Sequence, residues 1–468
     1  MPDVRKALLL ALLSAALGAA APALAAGPLQ TAVYVQPGDL SGSTADANAL
    51  LKRIRLGGAT AVRLLVSWKD VAPATRPSGF KAGDPSDPAY TWTVADRGIK
   101  LAVANGLEPL VTVVSAPSWA EHGSKVGHGN MRVDSAYLGQ FAKAIATRYG
   151  GSFEGLPRVR SWLVWNEPNL SSYLAPQVSG KKLVGAERYR AMVNAFSASV
   201  HSVHHDNVVV AGLLSPFAYH KDPGPLRFMR AALCMSAGKR PKPTCSARMS
   251  FDVWSVHPYT SGGPQHHAFG ANDISLGDLS EVRRLLDAAV RARHVLPSRP
   301  VRLWITEFSW DSKPPDPKGV PLKLESQWIS QGLYEMWKAG VSLVTWFILR
   351  DQPRSTSFQS GLYFQNWKPK PALDAFRFPF VAFRQRKGTF VWGRAPGGKP
   401  DTVLIERSAK HGWKRVTALR TNPFGIFTKT LSLRLPPSAF MRARVSGAKS
   451  IAFPLKPPPD LNVTPFGS

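Results

Sequence analysis

Between Gln30 and about Phe380 the chain repeats one unit eight times, a short β-prone run followed by a longer segment of helical period. The runs are Thr31–Val35, Ala61–Val66, Glu108–Val114, Val159–Trp165, Asn207–Leu213, Asp252–Val256, Val301–Thr306 and Val341–Phe347. Candidate helices between them include Val94–Asn105, Ser135–Tyr149, Gly185–Val203, Leu279–Arg293 and Lys323–Ala339. Such a pattern has two solutions, an open doubly wound sheet or a closed barrel. An open sheet gathers its site at one switch point and usually carries a Gly-rich phosphate loop, and none follows the first run. Here polar and aromatic residues stand at or near the ends of several runs: Arg63, Asn166 and Glu167, His257 and Tyr259, Glu307, Trp346. This distribution predicts an α/β fold, a (β/α)8 TIM barrel with its site at the C-terminal ends of the strands.

The 468 residues exceed what one small domain needs, and composition changes after Lys368-Pro369-Lys370-Pro371 and the apolar segment 375–383. Beyond it lie β-prone runs with turn signals, Thr389–Trp392, Thr402–Glu406, Arg415–Arg420, Thr428–Leu433 and Arg442–Val445. They predict a small β-sandwich. The expected division is 1–25 as a secretory leader, 26–383 as the barrel and 384–468 as the sandwich, with a Pro-rich tail from Pro457 expected to be loose. The leader rests on Arg5 and Lys6, the apolar stretch from Ala7 and the small-residue site Ala23-Leu24-Ala25. An uncleaved anchor is the other reading, but Gly18 and Pro22 break the run, and no later segment is apolar enough to span a bilayer. Export to an oxidising compartment favours a disulfide between Cys234 and Cys245 over two free buried thiols. The expected location is secreted or extracellular, with cell-wall association compatible with the charge.

That charge is +29, and from Arg384 onward sixteen Lys or Arg face three Asp or Glu. Such a field concentrates anionic polymers, which outside a cell means acidic polysaccharide or cell-wall polymer. A surface tuned only for solubility is the plainer reading. No recognition motif for specific nucleic acid accompanies the charge.

Two runs end in carboxylates. Trp165-Asn166-Glu167-Pro168-Asn169 closes the fourth, and Val301-Arg302-Leu303-Trp304-Ile305-Thr306-Glu307-Phe308 delivers Glu307 from the seventh. Acetal hydrolysis needs a proton for a poor leaving oxygen and a carboxylate to meet the oxocarbenium-like carbon from the opposite side. The pair therefore points to glycosidic bond cleavage in a carbohydrate substrate, a chemistry that requires neither metal nor cofactor. Alternation predicts Leu163, Trp165 and Glu167 on one strand face, and Leu303, Ile305 and Glu307 on another. Taken alone, Glu167 also fits a structural carboxylate at a turn.

The fourth-run motif resembles that of clan A glycoside hydrolases, especially the group containing β-xylosidases and α-L-iduronidases, and Thr306-Glu307-Phe308 resembles their seventh-strand motif. The similarity spans most of residues 30–380. It implies a retaining double displacement with Glu167 as acid/base and Glu307 as nucleophile. It further implies that Asn166 binds the sugar 2-hydroxyl, that His257 and Tyr259 form the His-x-Tyr pair near the nucleophile, and that Arg63 and Trp346 are the second-strand arginine and eighth-strand tryptophan. Arg63 beside Glu307 would keep it ionised, the tyrosine hydroxyl would orient it, and an indole face would offer a platform for a sugar ring. Ordinary structural roles compete: a buried ion pair for Arg63, satisfied core polar groups for His257 and Tyr259, core packing for Trp346. Trp119, with Trp68, is a candidate subsite aromatic, against packing under a loop.

Where several clan members carry a third-strand histidine, this chain reads Val-Thr-Val-Val-Ser-Ala-Pro-Ser over 111–118, which leaves that contact without a counterpart. His201, His204 and His205 with Asp206 do not make a metal-binding set and are expected on a solvated helix face. A different class of function, a non-catalytic binder of anionic wall or matrix polymer on an inherited barrel, competes on the charge alone. Intact Glu167 and Glu307 count against it.

Overall fold

The computed structural model describes residues 27–123, 127–353 and 357–463; the expected leader lies outside them. Eight parallel strands close on one another: β1 (Gln30–Val35), β2 (Ala61–Ser67), β3 (Glu108–Val114), β4 (Ser161–Val164), β5 (Val208–Leu214), β6 (Val253–Val256), β7 (Arg302–Phe308) and β8 (Val341–Trp346). Each pairs with its sequence neighbours, and β1 pairs with β8 to seal the ring. Helices follow every strand: α1 (Thr44–Leu56), α2 (Thr93–Ala104), α3 (Ser135–Arg148), α4 (Val184–Val203), α5 (Pro225–Ala232), α6 (Leu279–Arg291), α7 (Leu322–Lys338) and α8 (Pro371–Arg377). The helix of the last unit escaped the periodic pattern because it is only two turns long; Pro371 starts it at its first position. Polar caps start others, with Ser43 Oγ accepting from Asp46 N–H at α1 and Asp134 accepting from Ala136 and Tyr137 N–H at α3.

Strand alternation builds two concentric cores. Ala32, Ala61, Leu110, Leu163, Val210, Val253, Trp304 and Leu343, one from each strand, join Leu213 in a plug inside the barrel. Val33, Val62, Val111, Trp162, Val209, Trp254, Leu303 and Val344 point the other way, into the layer beneath the helices. Two residues further along the strands, Arg63, Thr112, Ser255 and Thr306 form a buried polar layer above the plug. The interior is therefore filled, and the functional end is the mouth above that layer.

Beyond α8 the chain forms antiparallel sheets of a β-sandwich. One contains β9 (Phe380–Gln385), β10 (Gly388–Arg394) and β13 (Ile426–Leu431). The other contains β12 (Gly412–Arg420), β11 (Thr402–Ala409) and β14 (Phe440–Val445), extended by the short strands Ala448–Lys449 and Phe453–Pro454. Tyr334 and Trp337 of α7 meet Trp392 of β10 at ring-centroid distances of 5.4 and 5.5 Å, so the appendage shares the barrel's outer core.

The tail expected to be loose is tied to the barrel. Trp328 Nε1 donates to Pro459 O (3.1 Å), Gly263 N–H to Asp460 Oδ1 (2.6 Å) and Val463 N–H to Ser261 O (2.9 Å). Cys234 and Cys245 form a disulfide. Of the histidines expected on a solvated face, His205 is exposed, whereas His201 Nε2 pairs with Asp252 (3.0 Å) and His204 bonds Gly150 O (3.0 Å); Asp206 takes Arg158 and Arg160. Among the described residues no helix is long and apolar enough to cross a membrane.

Candidate active site

Glu167 and Glu307 reach the barrel mouth by two local departures from regular strand geometry, not by simple alternation. Pairing of β4 ends at Val164, and Trp165 and Glu167 take positive φ angles of 71° and 40°. Such values are uncommon for residues with a Cβ and persist only where surroundings hold them. Trp165 swings into the outer core, its Nε1 donating to Tyr173 O (2.6 Å), which separates it from inward-facing Leu163. Trp165 N–H donates to Val113 O (2.9 Å) and Glu167 N–H to Leu213 O (3.0 Å). Asn169 anchors the far side, accepting from Ser215 N–H (2.9 Å).

The acceptor Leu213 lies in a bulge of β5 where Gly212 has φ 93° and a Cβ would stand 2.2 Å from Ser255 O. Only glycine permits that approach.

In β7 the register against β8 steps from Ile305 opposite Val344 to Phe308 opposite Trp346, an extra residue on the β7 side. A bulge of this kind lets two consecutive side chains leave on one face. Thr306 thus faces inward to Ser255 and His257 while Glu307 also turns to the mouth. Leu303 and Ile305, expected to share its face, pack in the outer core.

The two carboxylates stand side by side with different partners, and His257 lies near both. Arg63 is fully buried; its Nη1 donates to Glu307 Oε2 (2.9 Å) and Thr306 O (3.0 Å), Nη2 to Asn166 Oδ1 (2.7 Å) and Nε to Thr112 Oγ1 (3.0 Å). Tyr259 OH donates to Glu307 Oε1 (2.9 Å). His257, read from sequence as a neighbour of Glu307, is closer to Glu167: Nδ1 lies 3.1 Å from Glu167 Oε1 and 4.0 Å from Glu307 Oε2. Burial pushes the His257 imidazole down to about 3, keeping it neutral. On its far side Nε2 lies 3.1 Å from Thr306 Oγ1, which is 2.5 Å from Ser255 Oγ, so the neutral ring joins Glu167 to a buried chain of hydroxyls. Burial raises the Glu167 carboxyl to about 7, against the pull of the Arg63 charge. Donor atoms of Glu167, His257 and Glu307 lie within 4.8 Å of one another, a set that could hold a cation, but Arg63 already places a full positive charge on Glu307.

A cleft of about 840 Å³ opens above the pair, lined by Tyr34, Tyr173, Tyr219, Phe347 and Phe358 among its aromatic residues, with Asn166 and Gln352 among its polar ones. That size suits a ligand larger than a single small molecule fragment. Tyr34 follows Ala32 on the inward face of β1, so alternation could have found it. Tyr173, Tyr219 and Phe358 sit on loops whose course has no local sequence signal.

Two aromatic assignments fall elsewhere. Trp346 points outward between Phe308 and Phe376, with Nε1 donating to Ser360 O (2.7 Å), because Leu343 and Phe347 take the inward parity of β8. Trp119 does not line the cleft; it packs edge-on against Trp68, Phe80 and Tyr137 and donates to Pro73 O (2.8 Å). The long loop from Trp68 to Trp92 likewise serves this aromatic cluster, while residues after β1, β4, β5 and β8 wall the cleft.

No protein-family profile matches the chain, and no curated protein matches it in sequence. Among solved structures it is similar to a family 39 glycoside hydrolase from the gut symbiont Bacteroides cellulosilyticus WH2, at 13% identity and a TM-score of 0.54, over 87% of this chain and 81% of that one. It is also similar to a glucosidase from Croceicoccus marinus, at 13% identity and a TM-score of 0.50, over 86% of this chain and 93% of that one. What is shared at this identity is the fold.

Proposed function

We propose that this chain is a retaining glycosidase acting on an oligo- or polysaccharide, with Glu307 as nucleophile and Glu167 as acid/base. The observation that carries this reading is the asymmetric environment of two neighbouring carboxyls. Glu307 receives hydrogen bonds from Arg63 and Tyr259, which hold and orient it as a nucleophile. Glu167 is burial-shifted to about 7 and, among the described residues, has no charged hydrogen-bond donor, the environment of a proton donor near neutral pH.

Spacing supports retention. An inverting pair stands about 6.5–9.5 Å apart to admit a water, whereas a retaining pair stands about 5–5.5 Å apart. Here the nearest carboxylate oxygens fall within the 4.8 Å cluster. In the first step Glu307 attacks the anomeric carbon as Glu167 gives its proton to the departing oxygen. In the second, Glu167 takes a proton from water, which displaces Glu307. Asn166, its oxygen fixed by Arg63, keeps its amide N–H groups for a sugar hydroxyl.

The N-terminal leader pattern supports export, where the cation-rich appendage would meet acidic matrix or cell-wall polymer. The glycosidase reading is tested with a panel of dinitrophenyl glycosides. E307A is expected to abolish turnover, azide is expected to restore it as a glycosyl azide of inverted configuration, and NMR of the wild-type product is expected to show retention. Unchanged turnover in E307A would refute the reading; a first product of inverted configuration would refute retention.

A further inference from the structure

The outward face of one appendage sheet carries an ordered group of cations. Register places Glu406 of β11 between Arg415 of β12 and Arg442 of β14, Leu404 between Ala418 and Arg444, Thr402 beside Arg420, and Arg444 beside Lys449. Cross-strand partners share a face. These residues therefore lie opposite Val403, Ile405, Met441 and Ala443, which are buried in the core. Five cations share the face with one acid.

That acid organises the face. Glu406, nearly buried, accepts from Arg442 Nε (2.7 Å) and from Arg444 Nε (3.1 Å), so both guanidinium groups are gripped by their inner nitrogen. Among the described residues their outer Nη groups make no hydrogen bond, which leaves them for a second planar anion, the geometry in which arginine takes a carboxylate with two parallel hydrogen bonds. Arg442 also lies 4.2 Å over the ring of Trp413, which fixes its plane. Arg415 and Arg420 are exposed on the edge strand β12 beside them. A surface built for solubility mixes signs and leaves its long side chains free. Here sign is uniform at the surface and two side chains are held in place.

We propose that this arginine face, centred on Arg442 and Arg444 with Trp413, binds a linear carboxylate-bearing polysaccharide. It deepens the reading that the appendage meets acidic matrix polymer, and it stands independently of the chemistry at Glu167 and Glu307. The chain would dock through the arginine face on one polymer while its cleft acts on a glycoside.

The test is binding of the full-length protein to polygalacturonate at about 50 and 300 mM salt, with neutral dextran and duplex DNA as comparison ligands. Wild type is expected to bind polygalacturonate in a salt-sensitive way and dextran not at all. R415A/R444A is expected to bind roughly tenfold more weakly at low salt, with a shallower salt slope. R415K/R444K, which keeps charge and guards against misfolding, is expected to hold the salt slope and lose affinity about threefold, since lysine lacks the fork. W413A is expected to lose affinity at both salt concentrations. Turnover of a dinitrophenyl glycoside, if present, is expected to be unchanged in all three. Unaltered affinity in the alanine pair would overturn the proposal, and so would duplex DNA bound as tightly as polygalacturonate with the same dependence on Arg415 and Arg444.

Discussion

Arg63 Nη1 stands 2.9 Å from Glu307 Oε2 across the barrel interior, and the same guanidinium holds Thr112, Thr306 O and Asn166 with its remaining contacts. A buried charge is tolerable only when its hydrogen-bonding groups are matched. One residue of β2 thus joins β3 and the end of β4 to the strand that carries the candidate nucleophile.

R63K tests that role. Lysine carries the charge but cannot reach four acceptors from one nitrogen, so Asn166 and Glu307 lose their common reference. We expect kcat/KM for a dinitrophenyl glycoside to fall roughly 100-fold or more, mostly in kcat. Folding stability should drop by about 3 kcal/mol, measured by urea denaturation, because buried acceptors lose their donors.

The pH profile follows from Glu167. Its carboxyl is shifted up to about 7 by burial, so the protonated, proton-donating form prevails below that pH. The rate kcat/KM should fall as pH rises through about 7, approaching tenfold per pH unit above it. E167Q should abolish this basic limb and slow glycosides with poor leaving groups far more than dinitrophenyl glycosides, which need no proton. The same limb surviving in E167Q would remove Glu167 from the acid role.

A third prediction concerns stability away from the site. Glu325 of α7 is fully buried, with neither carboxylate oxygen bonded to any of the described residues, near Asp311 and the buried Lys370–Asp351 pair (2.6 Å). Burial raises Glu325 to about 8 and Asp311 to about 7, both above their unfolded values. Between about pH 4 and 8 the native state therefore binds more protons than the unfolded chain, and stability must fall as pH rises through that window. E325Q removes one titrating group without changing shape. It should be more stable than wild type at pH 8 by roughly 1–3 kcal/mol, with the gap closing towards pH 5. Denaturant midpoints across pH check the sign.

The barrel was legible because its information is periodic: eight β-prone runs and intervening helical segments repeat whatever the loops do. Glu167 and Glu307 were legible as motifs, but their orientation was not. Alternation pointed Glu307 to the same face as Leu303 and Ile305, and the bulge that reverses it has no signature in Thr306-Glu307-Phe308. Trp346 shows the converse: the residue type fitted a sugar platform, while strand parity sends it outward and gives the cleft Phe347. The tail misled for a third reason. Its proline content reads as unstructured, yet three hydrogen bonds to residues more than a hundred positions away hold it, and such pairings are invisible to local pattern.

That tail makes the last prediction. Asp460 and Val463 grip Gly263 and Ser261, on the loop that begins just after Tyr259, whose hydroxyl donates to Glu307. Trp310 Nε1 bonds Gly262 O (2.9 Å) on the same loop and packs on Trp328, which holds Pro459, so the strap and the loop form one connected unit. Ending the chain at Lys456 should free the loop and lower kcat roughly three- to tenfold, with a drop of a few degrees in Tm. D460A should reproduce much of the kinetic loss. D460N should restore it, because its amide oxygen still accepts from Gly263 N–H even though the charge facing His266 is gone. A Tm loss without any change in kcat would make the strap a stabilising element alone and release Tyr259 from its influence.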